Sequence, residues 1–238
     1  MLSSTRDLRE KISPDNQNAV VVGNPTMPKA WVDPTKEPQQ LAPLPGAEEE
    51  ARGIAPLLST QALTGDAAAE AAVVPLLKKA RTIHLATHGL LDGFSGGGVP
   101  GAIALAPSKG NSIDGNRGDR TSPDPATDGL LTSDEILGMK LQAELVVLSA
   151  CNTGVGTITS DGVIGLSRSL ILAGVPSVVV SLWSVPDAPT ADLMKEFYRQ
   201  LEQNPNKARA LRQAMLKTMQ QRPDPKDWAA FTLIGEAE

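Results

Sequence analysis

The stretch Arg81-Thr82-Ile83-His84-Leu85-Ala86-Thr87-His88-Gly89 alternates in polarity, carries β-branched residues and stops at a glycine, which predicts a strand ending at His88. Upstream, Ala19-Val20-Val21-Val22-Gly23-Asn24-Pro25 is a β-branched run closed by turn residues and reads as a buried first strand. Downstream, apolar runs over 144–149, 176–183 and 228–234 read as further strands. The intervening segments carry helix signals. Residues 48–58 start acidic and turn apolar, with Pro56 disturbing the second half, and Asp66 is placed to cap a helix over 67–79 that contains Pro75. Thr132 and Glu135 have capping-box spacing for a short helix through 138, and 163–173 ends at Gly174. Residues 189–203 and 207–221 repeat apolar side chains at helical spacing. Strands that alternate with helices need crossover connections, so the expected fold class is α/β, an open, mostly parallel sheet with helices on both faces. Ligands of such sheets collect beyond the carboxyl ends of the strands. His88 and Cys151 both fall there.

Composition sets the boundaries. At 238 residues one main domain is expected, and with 41% hydrophobic but only 3% aromatic residues its core must be aliphatic. A net charge of −5 with scattered Lys and Arg offers no footprint for nucleic acid or an anionic membrane. The first eleven residues carry charges and no apolar core of a secretory signal, and no apolar stretch is long enough to span a bilayer. One cysteine excludes an internal disulfide framework, and a reducing cytoplasm is the expected setting. Residues 24–46 hold six prolines, Pro25, Pro28, Pro34, Pro38, Pro43 and Pro45, and read as a connection. Residues 92–129 are dominated by Gly, Pro, Asp, Asn and Ser around an apolar 102–106, which predicts a long loop carrying one short strand. The expected organisation is an N-terminal extension over 1–17 and a single domain over 18–238.

The chemistry concentrates on three residues. A thiol becomes a strong nucleophile when a neighbouring imidazole takes its proton, so His88 and Cys151 at neighbouring strand ends suit covalent catalysis. Gly89 leaves its N–H unobstructed, and with the N–H of Cys151 it could bind a developing oxyanion. Against this stands the ordinary case of a lone cysteine packed in a core. His84 shares a strand with His88, but two histidines and one cysteine without a carboxylate cluster beside them speak against a metal site. His84 therefore reads as a hydrogen-bonded core histidine. Gly96-Gly97-Gly98 follows no strand and opens no helix, so a dinucleotide-binding fold is not indicated, and no cofactor is expected.

Three blocks, Ile83-His84-Leu85-Ala86-Thr87-His88-Gly89, Val146-Val147-Leu148-Ser149-Ala150-Cys151-Asn152-Thr153-Gly154 and residues 173–187, resemble in order the signature blocks of the CHAT domain, a bacterial relative of caspases and separase. Residues 44–50 and 128–132 are similar to that family too, so the resemblance spans roughly 18–236. It implies a caspase-like fold and a cysteine endopeptidase that works through a thioester, with His88 and Cys151 as its dyad and Gly89 as oxyanion donor. It also implies an acidic specificity residue near Asp187 that would take a basic side chain, and a role in the same cleft for Asp161. Each carboxylate has a second reading as a helix cap. The substrate implied is a protein or peptide. The family's usual upstream segment and helical repeats are missing here, which implies a regulatory helical-repeat domain or partner elsewhere. The alternatives are an interaction module that keeps the fold without catalysis, and the catalytic half of a larger regulated protein that is inactive alone.

Overall fold

A computed structural model describes residues 18–31, 37–90, 101–108, 127–149, 160–183 and 186–238, with the side chains of 160–164 outside that description. In chain order the first half holds β1 (Ala19–Pro25), β2 (Lys29–Ala30), β3 (Gln39–Gln40), α1 (Pro45–Ile54), β4 (Ala62–Gly65), α2 (Glu70–Leu77) and β5 (Thr82–Ala86). The second half holds β6 (Gly89–Leu90), β7 (Ala102–Ala104), β8 (Leu130–Thr132), α3 (Ser133–Leu137) and β9 (Leu145–Leu148). It closes with α4 (Ser160–Leu172), β10 (Ser177–Ser181), α5 (Asp187–Gln203), α6 (Lys207–Gln221) and β11 (Phe231–Gly235).

Six strands form the main sheet in the order β11-β10-β9-β5-β1-β4. All neighbours are parallel except the edge pair β10 and β11. The register sets Val21, His84, Val147 and Val179 in one row across the sheet. Since side chains alternate along a strand, that row faces one layer and the residues beside it face the other. Val21, Val147 and Val179 pack with Ile54 of α1, Phe197 of α5 and Leu211 of α6. Val20, Ile83, Val146 and Val178 pack with Val73 of α2, Ile136 of α3 and Leu166 of α4. Both faces are covered by helices, one by aliphatic side chains and the other by aliphatic ones together with Phe197 and Tyr198, which is why the strands read as continuous apolar runs. Each fully buried Val or Leu among them contributes about 1.5–3 kcal/mol.

A second, antiparallel sheet of β6, β7 and β8 continues from β5 and, with the β2–β3 hairpin, encloses Met27, Leu41, Leu44, Leu90 and Leu130. The segment 24–46, expected as a plain connection, thus holds a hairpin and the start of α1, where Pro45 takes a first-turn position whose N–H has no helical partner in any case. The helix expected over 67–79 is shorter. Asp66 opens a 3-10 turn (Asp66–Ala68) and accepts from Thr26 Oγ1 at 2.6 Å, so it does not cap α2. Extended Ala69 pairs with Ala106 before α2 starts at Glu70. Pro56 lies in a 3-10 turn (Ala55–Leu58) that follows α1. The capping box of Thr132 and Glu135 is formed, and Gly174 follows α4 at φ +113°. No described helix is long and apolar enough to cross a membrane.

Candidate active site

β5 stops at Ala86 because the chain leaves the main sheet there: Thr87 Oγ1 donates to Ala104 O at 2.8 Å, and Ala104 N donates to His88 O at 2.9 Å. This delivers His88 to the carboxyl end of β5. Its ring is 3% exposed, and Nε2 lies 2.8 Å from Ala42 O in the segment between β3 and α1. A carbonyl can only accept, so Nε2 carries the proton and Nδ1 is the nitrogen able to take one.

Gly89 pairs with Ile103 in the β6–β7 ladder, and Ala104 N to His88 O is a ladder bond just outside that pair. Gly89 therefore occupies a non-hydrogen-bonded position, and its N–H points away from β7. β9 lies directly beside β5 in parallel, with Leu148 opposite Leu85, and Ser149 N donates to Leu85 O at 3.0 Å. Cys151 lies outside the described residues, two positions beyond Ser149.

Asp187 is the first residue of α5, is exposed and follows Pro186, which occupies the N-cap position. As a first-turn acid it complements the helix dipole, although it is not the capping residue. Its side chain lies over Gly46 in the first turn of α1, where a Cβ would collide with the Asp187 Cβ, Cγ and Oδ2. Asp187 thus stands at the seam of two helix starts beyond the carboxyl end of β10. Asp161 is the second residue of α4, and its side chain is outside the description.

Behind this edge His84 is the hydrogen-bonded core histidine that the sequence predicts, while its partners are passed over by the sequence reading. His84 is fully buried, with Nδ1 3.1 Å from Tyr198 Oη and Nε2 3.1 Å from Glu50 Oε1. The same Glu50 oxygen accepts from Ser149 Oγ at 2.5 Å, in the range of a charge-assisted bond. Burial, and then the nearby Glu50 charge, push the Tyr198 phenol well up. It stays protonated and donates to Nδ1, so His84 donates through Nε2 to Glu50. Buried Tyr198, His84 and Glu50 and half-buried Ser149 form one line from α5 through the sheet to the exit of β9. A signal for it exists: on the helical period Glu50 shares the buried stripe of α1 with Ala51 and Ile54, where a carboxylate needs partners.

Glu70, fully buried at the start of α2, accepts from Gly129 N at 2.9 Å through Oε2, and its Oε1 has no partner among the described residues. Burial pushes its carboxyl up to about 8 and that of Asp128 up to about 6. A cavity of about 800 Å³ opens at the other end of the sheet, lined by Arg81, Thr82, Glu144 and Lys207. It holds none of the predicted site residues and lies at the amino ends of β5 and β9, away from the edge where open sheets bind ligands.

The family description CHAT domain matches residues 1–236, so the chain belongs to the CHAT domain family. Human tetratricopeptide repeat protein 28 is 33% identical over 245 residues, covering 91% of this chain and 9% of the relative. The mouse protein of the same name is 31% identical over 241 residues with the same coverage. The chain therefore spans about a tenth of the length of these relatives. Among solved structures, the Arg specific cysteine proteinase gingipain R matches at a TM-score of 0.57 and 11% identity, over 95% of this chain and 48% of that one. The fold is caspase-like, as the sequence resemblance implies.

Proposed function

We propose that this member of the CHAT family is a cysteine endopeptidase of the caspase/separase-like clan, with Cys151 as nucleophile and His88 as base. The observation that carries the reading is the placement of His88 at the carboxyl end of β5, with Nε2 bound to Ala42 O, beside the strand whose chain leads on to Cys151. Two residues of chain from Ser149 reach at most about 7 Å, which supports assigning the thiol to this edge of the sheet. Nδ1 of His88 takes the thiol proton, and the thiolate attacks the substrate carbonyl. The N–H groups of Gly89 and Cys151 hold the oxyanion, and the outward N–H of Gly89 supports its part in this. His88 then returns the proton to the departing amine, and water hydrolyses the thioester.

We assign cleavage after basic residues to Asp187, with Asp161 in the same cleft. The exposure of Asp187 at this edge supports it, as does the arginine specificity of gingipain R, which shares the fold. Helical-repeat segments are the regulatory partner we propose, because the relatives are tetratricopeptide repeat proteins and this chain spans 9% of them. The second reading is a caspase-like interaction module, or the catalytic half of a larger regulated protein that is inactive alone, in keeping with a chain that spans 9% of these relatives. The domain over 18–238, its 1–17 extension and a cytoplasmic setting belong to the same proposal. Assay of the purified chain on a library of fluorogenic peptides, beside Cys151→Ala, tests the reading. Cleavage by wild type that the variant lacks supports the peptidase, and equal cleavage by both refutes it.

A further inference from the structure

Asn24, the second-to-last residue of β1, has φ +46°, a left-handed conformation rare for residues with a side chain and most accessible to Asn. Its side chain spans two points of the next layer. Oδ1 accepts from Leu44 N at 2.7 Å, and Nδ2 donates to Glu48 Oε2 at 3.1 Å. The orientation of the amide is forced, because an N–H only donates and a carboxylate only accepts. Glu48 is held in turn by Arg52, whose Nη2 donates to Oε1 at 2.8 Å. Leu44 precedes α1 and provides no side-chain cap, so Asn24 ties the start of that helix to the end of β1.

Between β3 and α1 the main chain is fixed on both sides of Ala42. Leu41 N donates to Pro28 O at 3.2 Å, and Leu44 N donates to Asn24. The carbonyl held between them is the one that receives Nε2–H of His88 at 2.8 Å. Rotation or retreat of that carbonyl would remove the bond that selects the His88 tautomer.

We propose that Asn24 is a positioning residue for His88: by holding Leu44 it fixes the Ala42 carbonyl, which keeps the proton on Nε2 and presents Nδ1 as the base. This deepens the reading of His88 as the catalytic base and rests on it. The left-handed backbone of Asn24 is then part of the device, since it turns the amide toward α1.

The test uses the full chain. Asn24→Gly keeps the backbone conformation and deletes the amide. In wild type, ¹⁵N resonances of the His88 ring above its titration report the Nε2–H tautomer. In Asn24→Gly they should move toward a mixture of both tautomers. The rate at which iodoacetamide alkylates Cys151, the single cysteine of the chain, should fall about 10- to 100-fold near neutral pH and change its pH profile, as when a residue orienting a functional histidine is lost. Glu48→Gln still accepts from Asn24 Nδ2 and should behave as wild type in both measurements. If Asn24→Gly unfolds, Asn24→Ser is read instead, with a hydroxyl one bond too short to reach Leu44. A folded variant with the wild-type His88 tautomer overturns the proposal. If instead the tautomer shifts while alkylation is as slow in wild type as in His88→Ala, the positioning role stands and the dyad reading fails.

Discussion

His84 and His88 lie four residues apart on one strand and its extension, and the protein treats them in opposite ways. His84 has both ring nitrogens engaged by side chains, Tyr198 and Glu50, inside a closed layer. His88 has Nε2 on a main-chain carbonyl, that of Ala42, at the edge where β5 leaves the sheet. A histidine set between two side chains within the core acts as structure, while the one bound through Nε2 to a carbonyl at a strand end is the one we propose to move a proton. The difference comes from position along the strand, since both rings are nearly excluded from solvent.

The sharpest test of this contrast is activity. His88→Ala should abolish peptide hydrolysis and fast alkylation of Cys151 while the chain stays folded. Combined with Cys151→Ala it should add no further loss, because the two act as one unit. Retention of near wild-type hydrolysis in either single variant would assign the chemistry elsewhere. His84→Ala should do the reverse. It strands Glu50 and the Tyr198 hydroxyl and leaves a cavity, at a cost on the order of 3 kcal/mol in denaturant unfolding. If His84→Ala left stability unchanged, the line through His84 would not be the structural member of the pair.

The contrast extends to carboxylates. Glu50 accepts two side-chain donors on one oxygen, whereas Glu70 is equally buried with one oxygen unpartnered among the described residues. The Glu70 carboxyl is raised from 4.5 to about 8, so the folded state binds a proton more tightly than the unfolded one. The stabilisation this group gives is fully present below about 4.5 and is lost as pH rises through about 8. Unfolding titrations between pH 5 and 8 should therefore show wild type losing stability with rising pH more steeply than Glu70→Gln. Equal slopes would mean that the carboxyl is ionised in the fold.

How much of this is legible in the sequence follows from chain period and length. The strands of the main sheet that pack on both faces announce themselves as aliphatic runs. β6 and β8, at two and three residues, are too short to carry a period, and β4 runs directly into the helix signal that follows it. The antiparallel edge at β11 has no local signal, because strand direction is decided by the connection through α5 and α6. His88 and Gly89 can be picked out because residue type and strand end coincide. Glu50 is hidden in an acidic run whose other members, Glu48 and Glu49, are not buried. Asn24 reads as a turn residue, since its partners lie twenty or more positions away.

Asp187 completes the series as an exposed carboxylate, and its expected effect is the smallest. Its side chain rests on Gly46, so the two helix starts fix where it stands, while solvent screens what it can attract. A pairing with a substrate guanidinium at such a site is worth up to about 1 kcal/mol, or roughly fivefold in selectivity. Asp187→Asn should lower the preference for Arg or Lys before the scissile bond by about that factor, with kcat on a neutral peptide unchanged. Gly46→Ala offers an independent check, because the added methyl meets the Asp187 Cβ itself and must push the two helix starts apart with the charge unaltered, which should weaken the same preference. A basic preference that survives both substitutions would move the specificity residue to Asp161 and leave Asp187 as a first-turn acid of α5.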